Sequence, residues 1–206
     1  MGGRDAVLAR VRAALGDTVA EIEVPRTYRL RGSASAEQVA QRFADRVRDY
    51  RATVVESDDP AAAAGEALRA AGASRVVVAS DLPAALRPDG IEVVEDRSLA
   101  AAELDALGAA LTTCAHACAD TGTFALDGGP GQGRRAISLV PDVHVCVVRR
   151  VQIVETVPEL FERLAPSARA GRPIVLVSGP SATSDIGLER VEGVHGPRRL
   201  VVIVAP

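Results

Sequence analysis

Asp120-Thr121-Gly122-Thr123 sets a carboxylate and two hydroxyls around a glycine. Such a tight polar turn leading into an apolar run can aim three oxygens at a ligand. The same residues also suit a turn that satisfies its own backbone. A second candidate is Ser178-Gly179-Pro180-Ser181, which follows the apolar run Pro173–Val177. Backbone N–H groups and serine hydroxyls beyond a strand suit a phosphate or carboxylate. Pro180 supplies no N–H, so that cradle is incomplete, and an ordinary connecting loop would read the same way. The third is Gly193-Val194-His195-Gly196-Pro197. Small neighbours leave the His195 ring room to face a cleft, where it could act as acid, base or anion donor near neutral pH. A structural hydrogen-bonding histidine is the plainer alternative.

Other patterns exclude chemistry. The run Asp127-Gly128-Gly129-Pro130-Gly131-Gln132-Gly133 is no dinucleotide fingerprint. Arg134 stands where the third glycine of G-x-G-x-x-G would follow Gly129 and Gly131, and the next regular element reads as a strand. Arg134 and Arg135 could still bind an acidic ligand or partner. The sequence contains no lysine, which rules out a Walker A lysine, a Schiff base or a lysine general base. Cys114, His116 and Cys118, with His144 and Cys146, tempt a metal reading. On a strand, alternate residues lie roughly 6.6 Å apart. One tetrahedral zinc with bonds of ~2.0–2.3 Å cannot easily collect three such ligands. The spacing also lacks an iron–sulfur motif. Buried small cysteines with no metal are expected.

Helices and strands must position these loops. Residues 4–15 predict a helix with Val7, Leu8, Val11 and Leu15 on one side, and 16–34 an irregular arm. From Ser35, a candidate N-cap, Val39, Phe43, Val47 and Tyr50 make one apolar helical stripe. Thr53–Val55, Arg75–Ala79 and Ile91–Val94 predict short buried strands, with an alanine-rich helix over 59–71 ended by Gly72. This alternation predicts a parallel sheet with helical crossovers. Thr121–Leu126 and Val143–Val148 predict two more strands, joined by a long, mobile hairpin-like connection through the glycine run. A helix over 156–165, a strand over 173–177, a short helix near Ser184 and a last strand over 200–204 complete the chain. The expected class is α/β: a mostly parallel sheet flanked by helices, with an antiparallel hairpin portion. The expected division is an N-terminal helix and arm over 1–34 and one α/β domain over 35–206.

Composition bounds the partners. A chain of 206 residues suits one domain that buries roughly 70% of its unfolded surface. Aromatics make up 2% of it and tryptophan is absent, so the core must be Val, Leu, Ile and Ala. The formal charge is −3. The arginine pairs 134–135, 149–150 and 198–199 are scattered, which disfavours nucleic acid as a partner. An odd cysteine count suggests a reducing compartment. Met1–Leu15 lacks an apolar leader core and no run reaches ~18 apolar residues. A soluble, cytoplasmic chain with no membrane partner is expected.

Three blocks resemble the lactate-utilisation protein C (LUD-domain) family: ADTGT through Asp120–Thr123, RRAISLVPDVHVCVV with Ser138, Leu139, Pro141 and His144, and SGPSATSDIGLERVEGVHGP from Ser178 to Pro197. They cover the C-terminal ~100 residues; the N-terminal half matches only in length and helix–strand pattern. The resemblance implies a NagB/RpiA/CoA-transferase-like fold, similar to sugar-phosphate isomerases and CoA transferases. It also implies a role in oxidising L-lactate to pyruvate beside two iron–sulfur proteins. Asp120, Thr121, Gly122, Thr123, His144, Ser178, Ser181, Asp185 and His195 match the family pattern. Ala182 departs from its usual arginine and Gly187 from its frequent acidic residue. Losing that arginine would weaken an anion clamp, a role open to Arg134 or Arg198.

Together these readings predict three polar loops converging on one cleft for a small carboxylate or phosphorylated ligand. Asp120 and His195 would be its polar contacts or proton-transfer pair. Thr121, Gly122, Thr123, Arg134, His144, Ser178, Gly179, Ser181, Asp185 and Gly196 would bind ligand. Lactate oxidation releases two electrons. With no flavin, nicotinamide or cluster motif, this chain is expected to bind no cofactor and to leave iron–sulfur clusters to partner proteins. The rival readings are a stand-alone isomerase, transferase or ligase for a phosphorylated or CoA-linked molecule, and a non-catalytic scaffold.

Overall fold

In a computed structural model the described residues are 2–16, 23–183, 191–193 and 195–206. The expected short helix near Ser184, together with Asp185 and Gly187, lies outside them. Helix α1 (Gly3–Leu15) is followed by the arm and by α2 (Ala36–Asp49). Next come β1 (Thr53–Glu56), α3 (Pro60–Ala70), β2 (Arg75–Val78), β3 (Glu92–Glu95), α4 (Ala101–Leu107) and β4 (Ala109–Thr113). The middle holds β5 (His116–Cys118), β6 (Thr123–Leu126), β7 (Val143–Arg149) and β8 (Ile153–Val154). Helix α5 (Val157–Arg169), β9 (Val175–Val177), the short pair β10 (Ala182–Thr183) and β11 (Val191–Glu192), and β12 (Arg199–Ala205) follow.

Six strands form an all-parallel sheet in the order β1-β12-β7-β4-β2-β3. Its central strands are apolar throughout because both faces are covered. Val143, Val145 and Val147 of β7, with Val201 and Ile203 of β12, pack with Ala63, Ala64 and Leu68 of α3. The alternate residues Cys146, Val148, Leu200, Val202 and Val204 meet Val39, Phe43 and Val47 of α2 on the opposite face. On that same side Val77 and Ala110 pack with Leu104 and Leu107 of α4. Asp59 accepts from Ala62 N at 3.0 Å and Pro60 opens α3, a start whose lost N–H costs nothing.

A smaller mixed sheet, β8-β5-β6-β9, lies beyond α2. Ala117, Ala119, Phe124 and Leu126 turn toward the large sheet. Cys118 and Ala125 turn outward onto Leu160 and Leu164 of α5. The three cysteines are free and buried, with Cys118 on the face away from Cys114 and Cys146.

The expected α/β architecture is observed, but one connection differs. The strands on either side of the glycine run are not hairpin partners: β6 belongs to the small sheet and β7 to the large one. The antiparallel hairpin is β5–β6, with Cys118 opposite Thr123. The glycine loop is pinned rather than loose. Thr113 N and Oγ1 donate to the carbonyls of Gly131 and Pro130, at 3.1 and 2.6 Å. Gly131 N donates to Asp81 at 3.1 Å. Gly131 has φ +72°, and a Cβ there would sit 2.9 Å from Thr113 Oγ1, so only glycine lets the loop lie this close. Helix α5 runs past Pro166 to Arg169, beyond the stop expected at 165. Ser167, in the turn after the proline, is anchored by its hydroxyl on buried Asp127.

No helix among the described residues is long and apolar enough to cross a membrane.

Candidate functional site

Two of the three predicted loops meet at the amino ends of β7 and β12. There a cavity of about 590 Å³ is lined by His144, Ser178, Ser181, His195 and Gly196, with Arg135 beside them. Gly179, Ser138 and Tyr50 complete its polar and aromatic walls. The loop after β9 must run against α2's end: a Cβ on Gly179 would lie 2.7 Å from Tyr50 Cβ. The last loop is tied to it. Ser181 Oγ accepts from His195 N at 3.0 Å, and Ser181 N donates to the Pro197 carbonyl at 2.8 Å.

His144 forms the floor. It is 1% exposed, its Nε2 lies 2.8 Å from Thr112 Oγ1, and its ring meets Phe124 edge-on with centroids 5.9 Å apart. Burial alone lowers its pKa to about 4, because an apolar setting disfavours the imidazolium. It is therefore neutral at physiological pH. His195 is exposed.

The Asp120 loop goes elsewhere. Asp120 Oδ2 binds Arg29 Nη2 at 2.6 Å and Oδ1 binds Arg42 Nη1 at 3.0 Å. Both guanidiniums also reach Glu155 Oε1, at 2.8 and 3.1 Å. Asp120 does not line the cavity beside His195, so the expected Asp120–His195 pair is replaced by an ion cluster joining arm, α2 and β8. Thr121 sits in the same turn, half-buried. Gly122 (φ +60°) lets that turn touch the α2 backbone, where a Cβ would meet Arg46 C at 2.7 Å. Thr123 is the link between the two places: its Oγ1 lies 2.7 Å from Ser178 Oγ.

Arg134 also leaves the cleft. Its Nε and Nη2 bind the Asp96 carboxylate at 2.6 and 3.0 Å, and Nη2 reaches the Leu99 carbonyl. Arg198 pairs with Asp142 at 3.4 Å. The arginine that lines the cavity among the described residues is Arg135, on the short 3₁₀ turn Arg135–Ser138, and its side chain forms no ion pair among them. The sequence pointed to Arg134 for ligand binding, whereas the structure sets Arg135 at the cavity. The turn fixes which of two consecutive side chains faces the cleft, and a one-residue choice of that kind leaves no spacing signal. Tyr50 was read only as part of a core stripe, and nothing in the local sequence marks Glu155.

Among the described residues the arrangement offers one cation, several hydroxyls, a neutral buried imidazole and an exposed one. That set suits a small carboxylate, with Arg135 as counter-ion and His195 as proton donor or acceptor.

Comparison with known proteins widens the match beyond the three C-terminal blocks. The LUD domain family matches residues 17–205. Lactate utilization protein C of Deinococcus radiodurans is 49% identical over 180 residues, covering 86% of this chain and 84% of that protein. Lactate utilization protein C of Halalkalibacterium halodurans is 33% identical over 98 residues, 46% of this chain and 42% of that protein. The crystal structure of a DUF162 family protein from Deinococcus radiodurans superposes with a TM-score of 0.73 at 41% identity, covering 84% of this chain and 100% of that one. The N-terminal half, where the sequence showed only a loose fit, is thus part of the shared domain from residue 17 onward, and the chain belongs to the LUD domain family.

Proposed function

We propose that this chain serves the oxidation of L-lactate to pyruvate as a substrate-binding or accessory subunit, working with iron–sulfur proteins. The observation that carries the reading is the 49% identity to a lactate utilization protein C over 84% of that protein's length. The cleft supports it chemically. Arg135 holds the carboxylate of a 2-hydroxy or 2-oxo acid, Ser178 and Ser181 orient it, and His195 exchanges a proton with its oxygen. The two electrons released from each lactate pass to the partner proteins.

The test is lactate-dependent dye reduction in lysate from a strain lacking this gene. Adding the purified protein restores the rate. Adding Arg135→Gln or His195→Ala protein restores at most about a tenth of it, as expected for loss of a charge-assisted contact or a proton-transfer group. An undiminished rate in the deletion lysate would sink the lactate role. Full restoration by both variants would leave the role standing and remove the cleft from it.

A further inference from the structure

A second cavity, of about 640 Å³, lies at the opposite end of the large sheet. Its lining includes Thr113, Arg149 and Ala205, the last residues of β4, β7 and β12. The chain leaves β2 toward β3 and leaves β4 toward β7, in opposite directions across the sheet. The carboxyl ends of β2 and β4 therefore flank a topological switch point, where open α/β sheets form their ligand crevices. The pinned glycine loop covers the β2 and β4 ends, with Gly131 against Leu82 and Gly133 against Ala79, and its Gly129 and Pro130 line the adjoining cavity beyond β4, β7 and β12.

Which ligand fits follows from which polar groups are already spent. Asp127 is held by Arg172 at 2.9 Å and by Ser167. Thr113 Oγ1 is committed to Pro130. Gln152 Nε2 donates to the Cys114 carbonyl at 2.7 Å, and its Oε1 accepts from Arg149 N at 2.8 Å. Gln132 Oε1 accepts from Asp127 N at 2.7 Å. The Arg149 guanidinium forms no hydrogen bond or ion pair among the described residues, and it is exposed. His116 lines the same wall, its pKa held below the ordinary imidazole value first by burial and then by the Arg163 charge. Pro60, Pro83, Leu86 and Val147 supply apolar wall. A single uncommitted cation calls for a single anionic group. Asp58, exposed on the lining, opposes a second negative charge. The volume lies in the range of roughly 300–1,000 Å³ that holds drug-sized ligands.

We infer that this cavity binds an amphiphilic organic monoanion, its carboxylate at Arg149 and its apolar body against Pro60, Pro83, Leu86 and Val147. The site is separate from the lactate reading and stands or falls without it.

The absence of tryptophan makes a direct reporter available. Ala85 is exposed on the cavity lining, so A85W places a lone indole there. Titrating A85W with octanoate should give a saturable blue shift of its emission. Adding R149Q should weaken binding by roughly tenfold, since a charge-assisted pair is lost. L-Lactate at the same concentrations should give no shift, and R135Q, in the first cleft, should leave octanoate affinity unchanged. In the unaltered chain, octanoate should displace the fluorescent monoanion 1-anilinonaphthalene-8-sulfonate, and R149Q should weaken that displacement equally. No octanoate response in either assay would overturn the proposal. So would an affinity indifferent to R149Q, a lactate response equal to octanoate's, or a loss of binding in R135Q.

Discussion

Two single groups contribute to how this protein answers acid, in adjacent pH windows. His144 is neutral in the folded chain because burial lowers its pKa from 6.5 to about 4. The unfolded chain takes up that proton first, so the contribution is present above pH 6.5 and is lost as pH falls toward 4. A shift of this size corresponds to ~3 kcal/mol. Glu155 acts in the next window. Its carboxylate accepts from Ala34 N at 2.8 Å and from Arg29 and Arg42. The backbone bond to Ala34 is the largest cause of a pKa lowered from 4.5 to about 2. Its stabilisation is complete above pH 4.5 and drains away as pH falls toward 2. Urea midpoints measured from pH 7.5 to 2.5 should therefore fall in two stages. H144Q flattens the upper stage and E155Q the lower. A proton NMR titration that places His144 near its ordinary pKa would remove the first stage from this account. An E155Q profile parallel to the parent's would remove the second.

At the scale of elements, α2 is the piece on which both sheets rest. Ser35 Oγ accepts from Gln38 N at 3.3 Å while Gln38 Oε1 accepts from Ser35 N at 3.0 Å, a reciprocal cap that satisfies two free donors. Phe43 is fully buried between the sheets. Ser35→Ala should cost about 1 kcal/mol and Phe43→Ala about 3–5 kcal/mol, read as denaturation free energies. Equal costs would mean that α2 is held by its end and not by its stripe. This element was legible in the sequence because its cap and its four-three spacing are local signals. So were β2, β7 and β12, whose apolar runs reflect burial on both faces. β4 was not legible, since Ala109–Thr113 is too small and mixed in side chains to declare a strand. Nor was β8, whose two residues owe their form to pairing with β5. The cleft was half legible for the same reason. Ser178, Ser181 and His195 lie on loops whose glycines and prolines advertise them. The choice of Arg135 over Arg134, and the capture of Asp120 by Arg29, depend on long-range contacts that no local spacing encodes.

For the whole molecule, α1 and the end of the arm differ in what they bury. Helix α1 buries no residue; Val7, Val11 and Leu15 are all about half-exposed or more. The apolar side read from the sequence, Leu8 at 36% included, is therefore exposed, and the LUD domain match begins only at residue 17. The end of the arm is different. Arg31 pairs with Glu162 of α5, Leu30's carbonyl lies 3.3 Å from Thr156 Oγ1, and Arg29 joins the ion cluster. Gly32 crosses so close that a Cβ would fall 2.1 Å from Glu155 Oε2. The arm thus strengthens the joint between α2, β8 and α5, while α1 adds nothing to the core. Removing residues 1–16 should shift the unfolding free energy by no more than ~0.5 kcal/mol, the usual limit for changes that touch no packed group. Removing residues 1–34 exposes Glu155 and Asp120 without Arg29 and should lower the midpoint clearly. Gly32→Ala should reproduce much of that loss in the full-length chain and open the arm's arginines to trypsin. If both truncations left the midpoint unchanged, the ion cluster would be a surface ornament. If the shorter one already lowered it, α1 would have a packing partner that the described residues do not show.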